Sequence, residues 1–155
     1  MFEKILYAGW GDMDFNSHMR NTAFLDKSGD VRMMFFAENG FPMSELMRMR
    51  IGPVIMKDEV EYYKEITLLG AMKIVLSMAG LSEDGSRFLI RNEFYREDGK
   101  LAAKVTSLGG WLNLDERKLV SAPASMLVAL QKLAKSADYQ TLKSSVTLPI
   151  NKSSS

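Results

Sequence analysis

The sequence predicts an α+β fold. A short strand-like run precedes a long helical pattern, four extended segments follow through short glycine-bearing turns, and an amphipathic segment comes last. Helix and strand are segregated along the chain instead of alternating, and strands joined by such short connections pair antiparallel. A length of 155 residues with 46% hydrophobic residues fits one domain with an ordinary core. We place that domain at 1–137 and read 138–155 as a mobile tail, since "KSSVTLPINKSSS" has little periodicity and ends in serines.

Phe2 to Trp10 suits a strand, and Gly9 and Gly11 loosen the backbone at its end. Between Thr22 and Glu38, Phe24, Val31, Met34 and Phe35 recur at helical spacing, Leu25 and Phe36 widen the apolar surface, and Asp26, Lys27, Asp30 and Arg32 take polar positions. So broad an apolar surface predicts a helix largely enclosed by other structure. Gly29 near its middle costs about 1 kcal/mol relative to alanine, which a close backbone contact beside it and the small Ser28 would offset. Asn39, Gly40 and Pro42 end this helix, and Ser44 caps a shorter one running to Arg50.

Beyond Gly52 and Pro53 the pattern turns to strands: "VIMKDEVEYYKEI", "AMKIVLSMAGL", "RFLIRNEFYRE" and "KLAAKVTSLGGWLNL", with turns at Gly70, Glu83–Gly85 and Glu97–Gly99. In the third, Phe88, Ile90 and Phe94 alternate with Arg91 and Glu93, as in a sheet with one packed face. Gly109 and Gly110 predict a bulge in the last strand, and "ASMLVALQKLAK" after Pro123 reads as a terminal helix.

Twenty basic and nineteen acidic side chains leave a formal charge of +1, so no general field draws the chain to nucleic acid. The absence of cysteine removes disulfides, thiolate metal sites and cysteine nucleophiles together. No stretch has signal-peptide character and none approaches the roughly 20 apolar residues that span a bilayer, which predicts a soluble cytoplasmic protein without membrane contact. Twelve methionines are many for this length, and they crowd most in Met33 to Met56, which holds six of them, where they either line an adaptable apolar pocket or fill core.

The chemistry concentrates in "GWGDMDFNSHMRN", Gly9 to Asn21, between the first strand and the long helix. One reading is a polar turn, because Asp, Asn and Ser bond nearby backbone groups. A second is a calcium loop opened by Asp12, Asp14 and Asn16, but its sixth position is Ser17 instead of glycine and its twelfth is Ala23 instead of glutamate. A single histidine without cysteine also argues against zinc. The third reading is acyl-transfer chemistry, in which free N–H groups of a helix's first turn stabilise an oxyanion while an upstream carboxylate acts as nucleophile or directs water.

These residues resemble the 4-hydroxybenzoyl-CoA thioesterase-like family of hotdog-fold proteins. That family's loop reads as an aromatic residue, Gly-Asp-x-Asp, then Gly-His-hydrophobic-Asn-Asn, and "WGDMDFNSHMRN" retains Trp10, Gly11, Asp12, Asp14, His18 and Asn21. Ser17 and Arg20 depart from it. "FLDKSGDVR", "VEYYKEITLLGAMKIV" and "REDGKLAAK" are similar to the family's helix, strand pair and Asp-Gly hairpin, in the same order from about Lys4 to Pro123. The resemblance implies a long central helix wrapped by a curved antiparallel sheet of about five strands. It also implies a homodimer or dimer of dimers with sites at the subunit boundary, and hydrolysis of an acyl-CoA substrate without metal or organic cofactor. Asp14 then corresponds to the catalytic carboxylate and the backbone N–H of Asn21 to the oxyanion donor.

Around these two, Asp12 is expected to shape the loop through backbone hydrogen bonds, and His18 to orient the thioester or hold the loop. Asp30 and Glu38 on the helix are backup carboxylates, and Arg48, Arg50 and Lys57 are candidates for the phosphates of coenzyme A. Two other outcomes stay open: a hotdog dehydratase or hydratase, and a scaffold that binds acyl ligands without turnover.

Overall fold

The computed structural model describes residues 1–146. Its elements are β1 (Phe2–Tyr7), a single 3₁₀ turn (Trp10–Asp12), α1 (Asn21–Glu38), α2 (Met43–Met49), β2 (Ile51–Tyr62), β3 (Ala71–Ser82), β4 (Arg87–Arg96), β5 (Leu101–Asn113), β6 (Lys118–Val120), α3 (Ala124–Lys132) and β7 (Lys135–Leu142). Five strands run in the order β1-β3-β4-β5-β2, all antiparallel neighbours, with β6 added to β5 and β7 lying parallel to β3. This is the hotdog arrangement, a curled sheet around α1.

The pattern of α1 explains how it lies. Ala23, Phe24, Ser28, Val31, Phe35 and Phe36 are buried, and the sheet meets them with Phe88, Ile90 and Phe94 of β4 and Ala103, Val105 and Trp111 of β5. Aromatic pairs pin both ends: Phe24 packs edge-on to Phe94 at 5.2 Å, and Phe36 lies 5.2 Å from Trp111. The enclosure is one-sided, since Asp26 and Asp30 are exposed. Two predicted polar positions are tucked in instead: Lys27 turns back to Asp12, and Arg32 reaches Ser107 across the helix–sheet interface at 3.5 Å. Gly29 has no close backbone neighbour within the chain, for a Cβ there would meet the Arg32 guanidinium at an ordinary 3.6 Å. The helix closes as predicted at Gly40, whose φ of 92° lets the Phe41 N–H return to the Phe36 carbonyl at 2.8 Å.

The structure revises four further expectations. Gly70 does not make a hairpin between β2 and β3, which are not neighbours; β2 crosses to the far edge and pairs with β5. Gly70 instead allows a tight turn in the connection, where a Cβ would come within 2.9 Å of the Thr67 carbonyl oxygen. The expected bulge in β5 falls on its partner, between Ile55 and Lys57, and Gly109 has a different task. A Cβ there would lie 2.5 Å from the Phe88 ring, so the missing side chain is the seat of that ring. Ser44 makes no cap hydrogen bond; Pro42 holds the N-cap position of α2.

The fourth revision concerns the tail. Residues 138–142 belong to β7, and the strand sits so close to β3 that a Cβ on Gly80 would be 3.1 Å from the Gln140 carbonyl oxygen. Arg91 grips Asp138 through both guanidinium nitrogens, at 2.8 and 3.0 Å, and Ser144 and Ser145 bond to Asp84, Ser86 and Arg87. The rest of the predicted tail, 147–155, lies outside the described residues. Among the described residues no helix is long and apolar enough to cross a membrane.

The methionines between 33 and 56 form no common pocket: Met43, Met47 and Met56 are exposed, while Met33 and Met49 pack at the core's margin. Gly109→Ala is expected to lower the unfolding free energy by about 1–3 kcal/mol through overpacking against Phe88. The measurement is the denaturant midpoint, with Gly11→Ala as the control, because a Cβ at Gly11 meets nothing within 4 Å.

Candidate active site

The loop between β1 and α1 is tied into a compact hairpin by its own polar groups. Met13 and Met19 form a bridge, and the Asp14 N–H donates to the His18 carbonyl at 2.7 Å. One carboxylate oxygen of Asp14, Oδ1, accepts the N–H groups of Asn16 and His18 at 2.8 and 3.0 Å. Ser17, where the family has glycine, takes the left-handed conformation at φ 64° that such a turn needs. Arg20, the other departure, closes the loop's base: its N–H donates to the Asp12 carbonyl at 2.8 Å and its guanidinium to the Gly11 carbonyl.

Asp12 does the shaping foreseen for it. Its Oδ2 accepts the Gly9 N–H at 2.7 Å and the Lys27 ammonium at 2.9 Å. Burial works against its charge, but the bonds from Lys27 and Gly9 and the positive charges of Lys27 and Arg20 outweigh this and hold the carboxyl below its ordinary range.

Asp14, His18 and Asn21 line one open cleft of about 350 Å³ with Met19, Phe24 and the segment Tyr62–Glu65. Asn21 is the first residue of α1, so no carbonyl of its own helix is available to its backbone N–H. The Asn21 side chain accepts the Thr22 N–H at 2.9 Å, leaving the Asn21 amide as the helix's leading donor. His18 joins the loop to the opposite wall: its Nε2 is 3.1 Å from Glu65 Oε2, and its backbone bridges to Thr67. The phenol of Tyr62 donates to the Asn21 carbonyl at 3.4 Å, its ring packs edge-on to Phe24 at 5.5 Å, and burial raises its pKa, so it is a protonated donor at neutral pH.

Other expected participants lie elsewhere. Asp30 is exposed on α1 away from the cleft, and Glu38 pairs with Lys4 at 2.6 Å. Arg48 pairs with Glu45, Arg50 with Asp115 and Lys57 with Glu59, each outside the cleft of this chain. Sequence reasoning missed Tyr62, Lys64 and Glu65 as cleft residues and Lys27 as the partner of Asp12, because nothing in linear spacing relates "YYKE" or a helix lysine to the loop. Among the described residues no three histidine or carboxylate groups converge as metal ligands would.

A depressed carboxyl favours the fold above the unfolded pKa and loses that contribution as pH falls through the folded value. The stability difference between the wild type and Asp12→Asn should therefore be constant at neutral pH and vanish only below the ordinary aspartate value of 3.8, as followed by urea denaturation across pH 2.5–6.

Residues 8–130 match the profile described as the Thioesterase-like superfamily. No curated protein matches the sequence. Among solved structures, a hypothetical protein from Staphylococcus aureus in complex with CoA superposes with a TM-score of 0.78 at 19% identity, over 96% of this chain and 89% of that one. A gentisyl-coenzyme A thioesterase gives 0.74 at 21% identity, over 83% and 98% of the two chains. A 1,4-dihydroxy-2-naphthoyl-CoA thioesterase from Synechocystis gives 0.76 at 14%, over 85% and 96%.

Proposed function

The chain belongs to the thioesterase-like superfamily, and from that premise we propose that it hydrolyses an acyl-CoA thioester to a free carboxylic acid and coenzyme A, with Asp14 as the reacting carboxylate. The observation that carries this reading is the convergence, in one cleft beside the rings of Phe24 and Tyr62, of Asp14 and the amide heading α1, which has no acceptor among the described residues. Asp14 divides its labour between two oxygens: Oδ1 holds the turn through Asn16 and His18, which leaves Oδ2 free of those bonds to serve as the reacting oxygen.

Water deprotonated by Asp14, or Asp14 itself, adds to the thioester carbonyl carbon. The Asn21 N–H stabilises the oxyanion, and collapse breaks the C–S bond and expels the coenzyme A thiolate. In the first route Asp14 hands the thiolate the proton it took from water; in the second the acyl–Asp14 anhydride is cleaved by water, which frees the acid, regenerates the carboxylate and supplies the proton that the thiolate takes up. The names of two structural neighbours, gentisyl- and dihydroxynaphthoyl-CoA thioesterases, together with the aromatic flank of the cleft, favour an aromatic acyl group. Lys64 at the cleft is better placed for a phosphate of coenzyme A than Arg48, Arg50 or Lys57 of the same chain. We read the working form as a cytoplasmic homodimer or dimer of dimers, since β2 has no partner along its outer edge among the described residues.

The pairing of His18 with Glu65 favours one second reading, a hydratase or dehydratase in which that pair moves the proton. Thiol release separates the two, because adding water to an enoyl thioester leaves the C–S bond intact.

Asp14→Asn is expected to reduce thiol release from a panel of acyl-CoAs by about 10²- to 10⁴-fold with an unchanged circular dichroism spectrum, and undiminished turnover would overturn the assignment. Thermal stabilisation of the wild type by acyl-CoA without any thiol release would point to a binding protein. A single turnover in ¹⁸O-water with rapid-quench trapping separates the two routes: label in Asp14 instead of the acid, or a trapped acyl–Asp14 anhydride, marks Asp14 as nucleophile, and label in the acid with no trapped anhydride marks it as base.

A further inference from the structure

Lys27 is set apart from the other lysines by where it points. It sits on α1 six residues after Asn21, about 9 Å along the axis, with its side chain only 12% exposed and its ammonium folded back onto the loop. Removing an ammonium from water is costly unless a carboxylate meets it, and Asp12 Oδ2 does so at 2.9 Å. That same oxygen holds the Gly9 N–H at 2.7 Å, so one contact fixes the helix, the end of β1 and the 3₁₀ turn to each other. On its other side the turn is fixed by Arg20, through the carbonyls of Gly11 and Asp12. Asp14 follows Asp12 by two residues, and the amide it must face heads the helix that carries Lys27.

We propose that Lys27 and Asp12 form a clamp that sets the separation between Asp14 and the leading amide of α1, making Lys27 a positioning residue for thioester hydrolysis. This rests on the reading of the cleft as a thioesterase site. The clamp acts through geometry: the loop's inner bonds hold Asp14 within its hairpin, and two cations tie that hairpin to α1, the more exposed Arg20 through Thr22 at 2.9 Å and Asp26 at 4.0 Å, and the more buried Lys27 through Asp12. A misplacement of about 1 Å can cost on the order of 10²-fold in rate.

The test compares Lys27→Met, Lys27→Arg, Asp12→Asn and the double variant Lys27→Met/Asp12→Asn. Readouts are kcat and KM on an acyl-CoA that the wild type turns over, the melting temperature, and the fluorescence anisotropy decay of Trp10. Trp10 belongs to the clamped turn and is 83% exposed, while the other tryptophan, Trp111, is fully buried and supplies a constant background. Lys27→Met is expected to lower kcat at least tenfold with little change in KM and to give Trp10 a faster decay component. The double variant should be no worse than the poorer single one, and Lys27→Arg should recover most of kcat.

A Lys27→Met protein that melts earlier yet keeps wild-type kcat and Trp10 decay would overturn the clamp, as would additive losses in the double variant. Should Lys27→Met fail to fold, Lys27→Arg and Asp12→Asn carry the same comparison. A wild type that releases no thiol from any acyl-CoA defeats the thioesterase reading and the catalytic part of this proposal, and the Trp10 decay still decides whether the clamp exists.

Discussion

The constraint on which the structure depends is that one sheet must bury one long helix. α1 presents large side chains along most of its length, and a flat sheet would cover only a narrow stripe of them. Curling brings β4 and β5 against both aromatic ends, where Phe36 meets Phe88 and Trp111, and Phe24 meets Phe94 and Tyr62. The absence of a side chain at Gly109 lets the Phe88 ring lie on β5 itself. Burial also has a local cost, since among the described residues the side chains of Ser28, Ser77 and Asn92 and the Trp111 indole N–H meet no hydrogen-bond partner. The aromatic ends outweigh this and fix the position of α1, and with it the amide at its start.

That fixed amide gives the polar loop its meaning. Loop residues that look redundant by composition hold different parts of one object: Asp12 takes the turn, Arg20 the base, Ser17 the reversal, His18 the opposite wall. Little of this polarity faces water without a task. Asp14 stands at the junction, with one oxygen inside the loop's own bonding and the other outside it.

Much of the architecture was legible in the sequence because it depends on short-range rules. The α1 pattern, its stop at Gly40, the alternation through Phe88, Ile90 and Phe94 and the Asp-Gly turns all follow from periodicity and turn chemistry. What could not be read depends on distant partners. The Gly109–Gly110 pair signals backbone freedom equally for a bulge and for a ring seated on the strand, and only the position of Phe88 decides between them. Lys27 fits a solvated helix position until Asp12 is seen beneath it. The polar composition of the tail hid a strand, because what holds β7 is Gly80 and Arg91, far upstream. The loop was marked as a candidate site by its motif, whereas the far wall of the cleft it lines, Tyr62 to Glu65, was visible only once the chain had folded.

The path of β2 carries one more consequence, for the order of assembly. Tyr62 pairs with Ala103 and Ile51 with Asn113, so β2 cannot gain its ladder until β5 exists, while β3, β4 and β5 zip together through near neighbours. Closing that long loop costs chain entropy before any contact repays it, which places β2 late in folding. The segment completing the cleft follows directly from β2. A chain arrested one step short of native would thus hold a finished loop facing an empty side, compact and helical but without a cleft.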